Sequence, residues 1–181
     1  MILALGDSLT AGIGVLVQEN YPSRLQDRLR EKGYDYVVIN AGVSGDTTAG
    51  GLRRLPWLLQ HKPRIVILAL GANDGFRGLP VAQMYSNLKQ IIETCREQKA
   101  IVLLAGMKIP PNYGEEYSRE FEEVFVRLAK EYKLRFVPFL LEGVAAKREL
   151  TQPDGIHPLG SGYKIVAKTV WKALQPLLKK P

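Results

Sequence analysis

The chain has 181 residues, 46% hydrophobic and 24% charged, which suits a single globular domain spanning residues 1–181 around one core. No apolar run approaches the length needed to span a bilayer. The net charge of +7 favours an anionic substrate or surface, but acidic residues are interleaved throughout and only the Lys179-Lys180 end is purely basic. No nucleic-acid motif accompanies the charge, so no nucleic-acid partner is expected.

The elements alternate along the chain. Residues 2–5 (Ile2-Leu3-Ala4-Leu5) read as a buried strand, and Met1 leads straight into it with no basic segment or cleavage site. This start predicts either a cytoplasmic protein or a mature form from which an export signal has been removed. Further strands are expected at 36–40, 64–70, 100–105 and 135–137, and helices at 21–32, 47–61, 81–98, 115–132 and 160–178. The run Ile65 to Leu70 is apolar on both faces, as a central parallel strand requires. Phe121, Val124, Phe125, Leu128 and Ala129 follow the helical period and are read as core. The single cysteine, Cys95, shares helical spacing with Met84, Leu88, Ile91 and Ile92, and is read as core rather than as a nucleophile. One Cys and two distant His make no zinc site, and no metal or cofactor is expected.

Five strands alternating with helices predict a three-layer α/β domain with a parallel sheet, for which a common strand order is 2-1-3-4-5. In that order the crevice lies at the carboxyl ends of strands one and three. Ser8, in Gly6-Asp7-Ser8-Leu9, follows strand one, and Asn73, in Gly71-Ala72-Asn73-Asp74-Gly75, follows strand three. The two residues are thus expected on opposite lips of one crevice.

A serine hydroxyl attacks only when a base removes its proton. His157, in Asp154-Gly155-Ile156-His157-Pro158, is the candidate base. A short turn folds the Asp154 carboxylate onto its Nδ1–H, fixes the tautomer and leaves Nε2 for the serine. His61, at a helix end before Pro63, is read as structural. Acyl transfer also needs donors for an oxyanion. The Ser8 N–H, the Gly45 N–H in the loop after strand two, and the Asn73 amide are the candidates. Each alone would pass for turn chemistry. Asp46 is expected to cap the helix starting near Thr47, Asp74-Gly75 to form a turn pair, and Asp7 to brace its own loop. Ala11-Gly12-Ile13-Gly14 sits where phosphate loops sit, but lacks their spacing. The apolar, turn-rich segment from Met107 to Gly114 reads equally well as a connection or as the wall of an acyl pocket.

Assembled, these residues resemble the SGNH branch of the GDSL hydrolases, and in particular its bacterial multifunctional acyl-thioesterase, arylesterase and lysophospholipase subgroup. Four blocks carry the resemblance in order: Gly6-Asp7-Ser8-Leu9, the block with Gly45, Gly71-Ala72-Asn73-Asp74, and Asp154-Gly155-Ile156-His157. Together they span essentially the whole chain. The resemblance implies a flavodoxin-like fold with Ser8 as nucleophile, His157 as base, Asp154 as its orienting acid, and Gly45 and Asn73 in the oxyanion hole. It also implies an acyl groove from residues 75–80 and 109–111, with Gly75, Phe76, Ile109 and Pro110 as binding residues. The expected activity is hydrolysis of small-molecule carboxylic esters, and of thioesters or lysophospholipids, by a monomer without cofactor. Members of this subgroup are usually exported, so a periplasmic or secreted location is implied if a signal once preceded Met1. An acetyl esterase acting on carbohydrate, a non-catalytic binding module and a nucleotide-binding flavodoxin-like protein are the rival readings.

Overall fold

A computed structural model describes residues 1–179, so Lys180 of the basic end lies outside the described residues. Strands β1 (Ile2–Gly6), β2 (Val38–Gly42), β3 (Ile65–Ala69), β4 (Ile101–Ala105) and β5 (Arg135–Val137) form one parallel sheet in the order β2-β1-β3-β4-β5. The order is the expected one. Helices α1 (Ser8–Ala11), α2 (Tyr21–Glu31), α3 (Thr48–Leu59), α4 (Ala72–Phe76), α5 (Val81–Glu97), α6 (Glu115–Glu131) and α7 (Gly160–Leu174) complete the fold. Helix α2 packs on α7, whereas α3 packs on α5 and α5 on α6. That division into two faces is what right-handed crossovers produce when the strand order reverses after β2.

The central strands are covered on both sides. Every residue of β1 and β3 is buried, which explains their unbroken apolar runs. The α6 stripe from Phe121 to Ala129 is buried as its period predicts, with the Phe121 and Phe125 rings edge to face at 5.5 Å. Cys95 is fully buried, and burial pushes its thiol up to about 12, so it packs as a neutral apolar group.

Three boundaries differ from the sequence reading for physical reasons. Strand β2 is shifted two residues onward. Gln26 of α2 takes the Tyr36 carbonyl (3.0 Å) and the Val38 N–H (2.7 Å) with its side-chain amide, while Ala41 and Gly42 pair with Leu5 and Gly6. Pairing with β1 overrides the weak strand preference of Asn40-Ala41-Gly42. Helix α7 stops at Leu174, and the Gln175–Leu177 turn that follows contains Pro176, which has no N–H to continue the ladder. The expected loops after β1 and β3 instead wind into the one-turn helices α1 and α4. Among the described residues, no helix is long and apolar enough to cross a membrane.

Gly42 shows how closely β2 meets α1. A Cβ there would run into the Ala11 backbone N, with Ala11 Cα and the Thr10 carbonyl carbon at 2.7 Å. Backbone atoms cannot swing aside, so Gly42→Ala is expected to destabilise the fold by about 1–3 kcal/mol and to shift α1. Urea unfolding measures the first effect; a midpoint equal to that of the parent would show that the contact yields freely.

Candidate active site

The site is built where β1, β2 and β3 end. Strand β1 stops at Gly6, and Asp7 caps α1 by accepting the Leu9 N–H on Oδ1 at 2.9 Å. A four-residue helix cannot stand alone, so its carbonyls are satisfied from elsewhere. Gly12, at φ +85°, returns its N–H to the Ser8 carbonyl at 2.9 Å. The Tyr163 hydroxyl of α7 donates to the Leu9 carbonyl (2.9 Å), and the Asn40 amide of β2 donates to the Thr10 carbonyl (2.9 Å). Below them Thr10 Oγ1 and the Tyr21 hydroxyl share a buried hydrogen bond of 3.0 Å. Ser8 is thereby held as the first residue of a fixed turn and is itself half-buried.

Ser8 Oγ lies 2.8 Å from His157 Nε2, and His157 Nδ1 lies 2.6 Å from Asp154 Oδ2. The other carboxylate oxygen, Oδ1, accepts the Ile156 and His157 N–H groups, each at 2.9 Å. These contacts orient the carboxylate before it meets the ring. Desolvation raises the Asp154 carboxyl, but the His157 hydrogen bond, the two backbone donors and the His157 charge outweigh it and leave its pKa below the ordinary value. The loop is closed by Gln152 N–H on the His157 carbonyl (2.7 Å). Gln152 also joins it to the serine loop, its amide donating to the Ile13 carbonyl at 2.8 Å.

The expected oxyanion donors converge as well. Asp46 N–H bonds the Val43 carbonyl at 3.0 Å, closing a four-residue turn with Gly45 third, at φ +79°. That conformation suits glycine. Neither the Ser8 N–H nor the Gly45 N–H meets an acceptor among the described residues. Asn73 Nδ2 donates to the Asp46 carbonyl at 2.9 Å, and its other hydrogen faces Asp7 Oδ2 at 3.4 Å, near the limit of a hydrogen bond.

Two expectations about neighbouring acids are corrected. Asp46 does not cap α3. Thr47 does, accepting the Gly50 N–H at 3.3 Å, while Asp46 pairs with Arg54 at 2.8 Å. Asp74 is no turn residue. It is buried in α4 and accepts the Thr48 N–H (2.8 Å) and hydroxyl (2.6 Å), with Asn87 donating to the same hydroxyl at 3.0 Å. This network fastens the helix that carries Asn73 onto α3 and α5. Arg54, Asn40, Tyr163 and Gln152 went unread because their partners lie far away in the chain, and no local spacing announces them.

The proposed groove residues sit differently from one another. A Cβ on Gly75 would approach Ile109 Cγ2 and Phe121 Cε2, each to 2.7 Å, so α4 lies directly on the segment after β4. Ile109 is only 5% exposed and is committed to that packing. Phe76 is half-buried with its ring 6.1 Å from that of Tyr113, and Pro110 is exposed. Among the described residues, no group of three or more His, Cys, Asp or Glu side chains is placed to hold a metal ion.

The chain is similar in sequence and in fold to known proteins. Residues 4–165 match the GDSL-like Lipase/Acylhydrolase family. The chain is 44% identical to Esterase TesA of Pseudomonas aeruginosa, over 98% of this chain and 89% of that protein. It is 40% identical to Thioesterase 1/protease 1/lysophospholipase L1 of Escherichia coli K12, over 98% of this chain and 84% of that protein. A crystal structure of TesA superimposes with a TM-score of 0.94 at 44% identity, covering 98% of this chain and 99% of that one.

Asp7, beneath the serine, has a consequence for pH. Burial raises its carboxyl from the ordinary 3.8 to about 6, against the lowering effects of the Leu9 N–H and the His157 charge. The folded chain therefore holds this proton more tightly than the unfolded chain does. The contribution of Asp7 to stability falls as pH rises from about 4 to 6, by about 3 kcal/mol in all. Asp7→Asn cannot titrate. Its stability relative to the parent is expected to improve by up to about 3 kcal/mol between pH 4 and 7 in urea unfolding. A difference that stays constant across that range would mean that Asp7 titrates elsewhere.

Proposed function

The chain belongs to the GDSL-like lipase/acylhydrolase family, and from that premise we propose that it hydrolyses carboxylic acyl esters and acyl thioesters, lysophospholipids among them, through an acyl-enzyme on Ser8. The observation that carries this reading is the relay from Ser8 Oγ through His157 to Asp154, at 2.8 and 2.6 Å, together with two backbone N–H groups that meet no acceptor among the described residues.

In the proposed reaction Asp154 holds the Nδ1–H tautomer of His157, leaving the Nε2 lone pair to take the Ser8 proton as Oγ attacks the acyl carbonyl. The tetrahedral oxyanion receives the Ser8 and Gly45 N–H groups and the Asn73 hydrogen that otherwise rests on Asp7 at 3.4 Å. Collapse expels the alcohol or thiol, which takes the proton from His157 Nε2. Water then repeats the sequence, with His157 accepting its proton, and releases the acid and free Ser8. Phe76 and Pro110 line the acyl side in this reading, while Gly75 and Ile109 support it from beneath.

Ser8→Ala is expected to abolish hydrolysis of a short aryl ester and of an acyl thioester while leaving thermal unfolding unchanged; retained turnover would refute the assignment. Asn73→Ala is expected to lower kcat by roughly 100- to 1,000-fold if its amide meets the oxyanion. A loss below about tenfold would restrict Asn73 to a structural role. A rate panel of esters and thioesters across acyl lengths tests the substrate class, since hydrolysis of acetylated sugars alone would contradict it.

A further inference from the structure

The Arg54 guanidinium, on the second turn of α3, reaches three acceptors: one at the end of β1, one in β2 and one in the loop after β2. Nε donates to Asp46 Oδ2 at 2.8 Å, one terminal nitrogen to the Ala41 carbonyl at 2.7 Å, and the other to the Gly6 carbonyl at 3.0 Å. A planar fork with fixed donor directions can hold three such acceptors in one arrangement, which a lysine ammonium cannot. The ion pair is shielded, with side-chain exposures of 22% for Arg54 and 10% for Asp46. The Asp46 carboxylate lies against Gly50, where a Cβ would strike Oδ1, so the absence of a side chain at Gly50 makes room for it.

Asp46 is also the residue on which two of the oxyanion donors hang. Its N–H closes the turn that presents the Gly45 N–H, and its carbonyl accepts the Asn73 amide at 2.9 Å. We propose that Arg54 is a positioning residue for catalysis: through Asp46 it fixes the Gly45 and Asn73 donors relative to Ser8. It touches neither substrate nor reacting atoms. The inference rests on the serine-hydrolase reading. Because the donors engage the oxyanion only after attack, loosening them lowers kcat and leaves KM nearly unchanged.

The test is steady-state kinetics on a short aryl ester with Arg54→Lys, Arg54→Met and Asp46→Asn, alongside Asn73→Ala and the double variant Arg54→Met/Asn73→Ala. Folding is checked by circular dichroism and thermal unfolding, and assays are run well below each midpoint. The expected result is a kcat loss of roughly 10- to 100-fold for Arg54→Met, a smaller loss for Arg54→Lys, and KM within about twofold of the parent. The double variant is expected to lose less than the product of the two single losses, since an absent amide cannot be misplaced and only the Gly45 donor remains to be disturbed. Where Arg54→Met does not fold, Arg54→Lys and Asp46→Asn test the same link. Folded variants with kcat within twofold of the parent, or losses that multiply fully with Asn73→Ala, would overturn the proposal. If Ser8→Ala or Asn73→Ala itself kept full activity, the hydrolase reading would fail instead, so the two failures are distinguishable.

Discussion

The pairing of β1 with both β2 and β3 is the constraint on which the rest of this structure depends. It is a parallel arrangement in which Gly6 lies beside Gly42 on one side and Ala69 on the other. The chain leaves β1 and β3 in opposite senses, so no crossover helix covers the space between their carboxyl ends. Ser8 and Asn73 follow within one turn of the strand ends, Ser8 two residues beyond Gly6 and Asn73 four beyond Ala69. The small residues at the strand ends are part of the same constraint. Gly42 lets α1 lie against β2, and a side chain there would force the serine turn away.

Once the strands end together, the polar groups they bring must be satisfied without water. Asp7, Thr10, Thr48, Asp74 and Asn87 are all buried. Among the described residues no buried side-chain polar atom lacks a partner. This completeness bears on function, because a satisfied network holds each group in one orientation. The Ser8 and Gly45 N–H groups stand apart as donors without acceptors among the described residues. In the proposed mechanism they are the groups that gain most when negative charge develops on the substrate. Arg54 belongs to this order, since its three hydrogen bonds tie both strand ends to the residue that carries the remaining donors.

Different parts of the molecule were legible to different degrees. The sheet could be read because its central strands are buried on both faces, a condition only an apolar run satisfies, and because α6 repeats its apolar stripe at the helical period. The Asp154–His157 contact could be read because both residues lie in one turn, three positions apart. Two acids differ from their local reading: Asp46 reads as a helix cap and Asp74 as half of a turn pair, yet each has its main partner in the tertiary structure, Arg54 and Thr48 respectively. The one-turn helices α1 and α4 were read as loops because nothing local stabilises four or five residues in a helix.

By itself, the sequence determined the five apolar strands, the amphipathic helices between them, and the residue types needed for acyl transfer at the strand ends. Each of these follows from interactions within a few residues or from the periodicity of burial. Only the tertiary structure decided that Ser8 and His157, 149 residues apart, stand 2.8 Å from one another. It alone decided that Asn73 rests on Asp46, and that Arg54 spans β1, β2 and the loop that carries Asp46. Those contacts depend on which strands lie side by side and where each one ends. That is a property of the packed sheet, to which no local segment of the chain carries the answer.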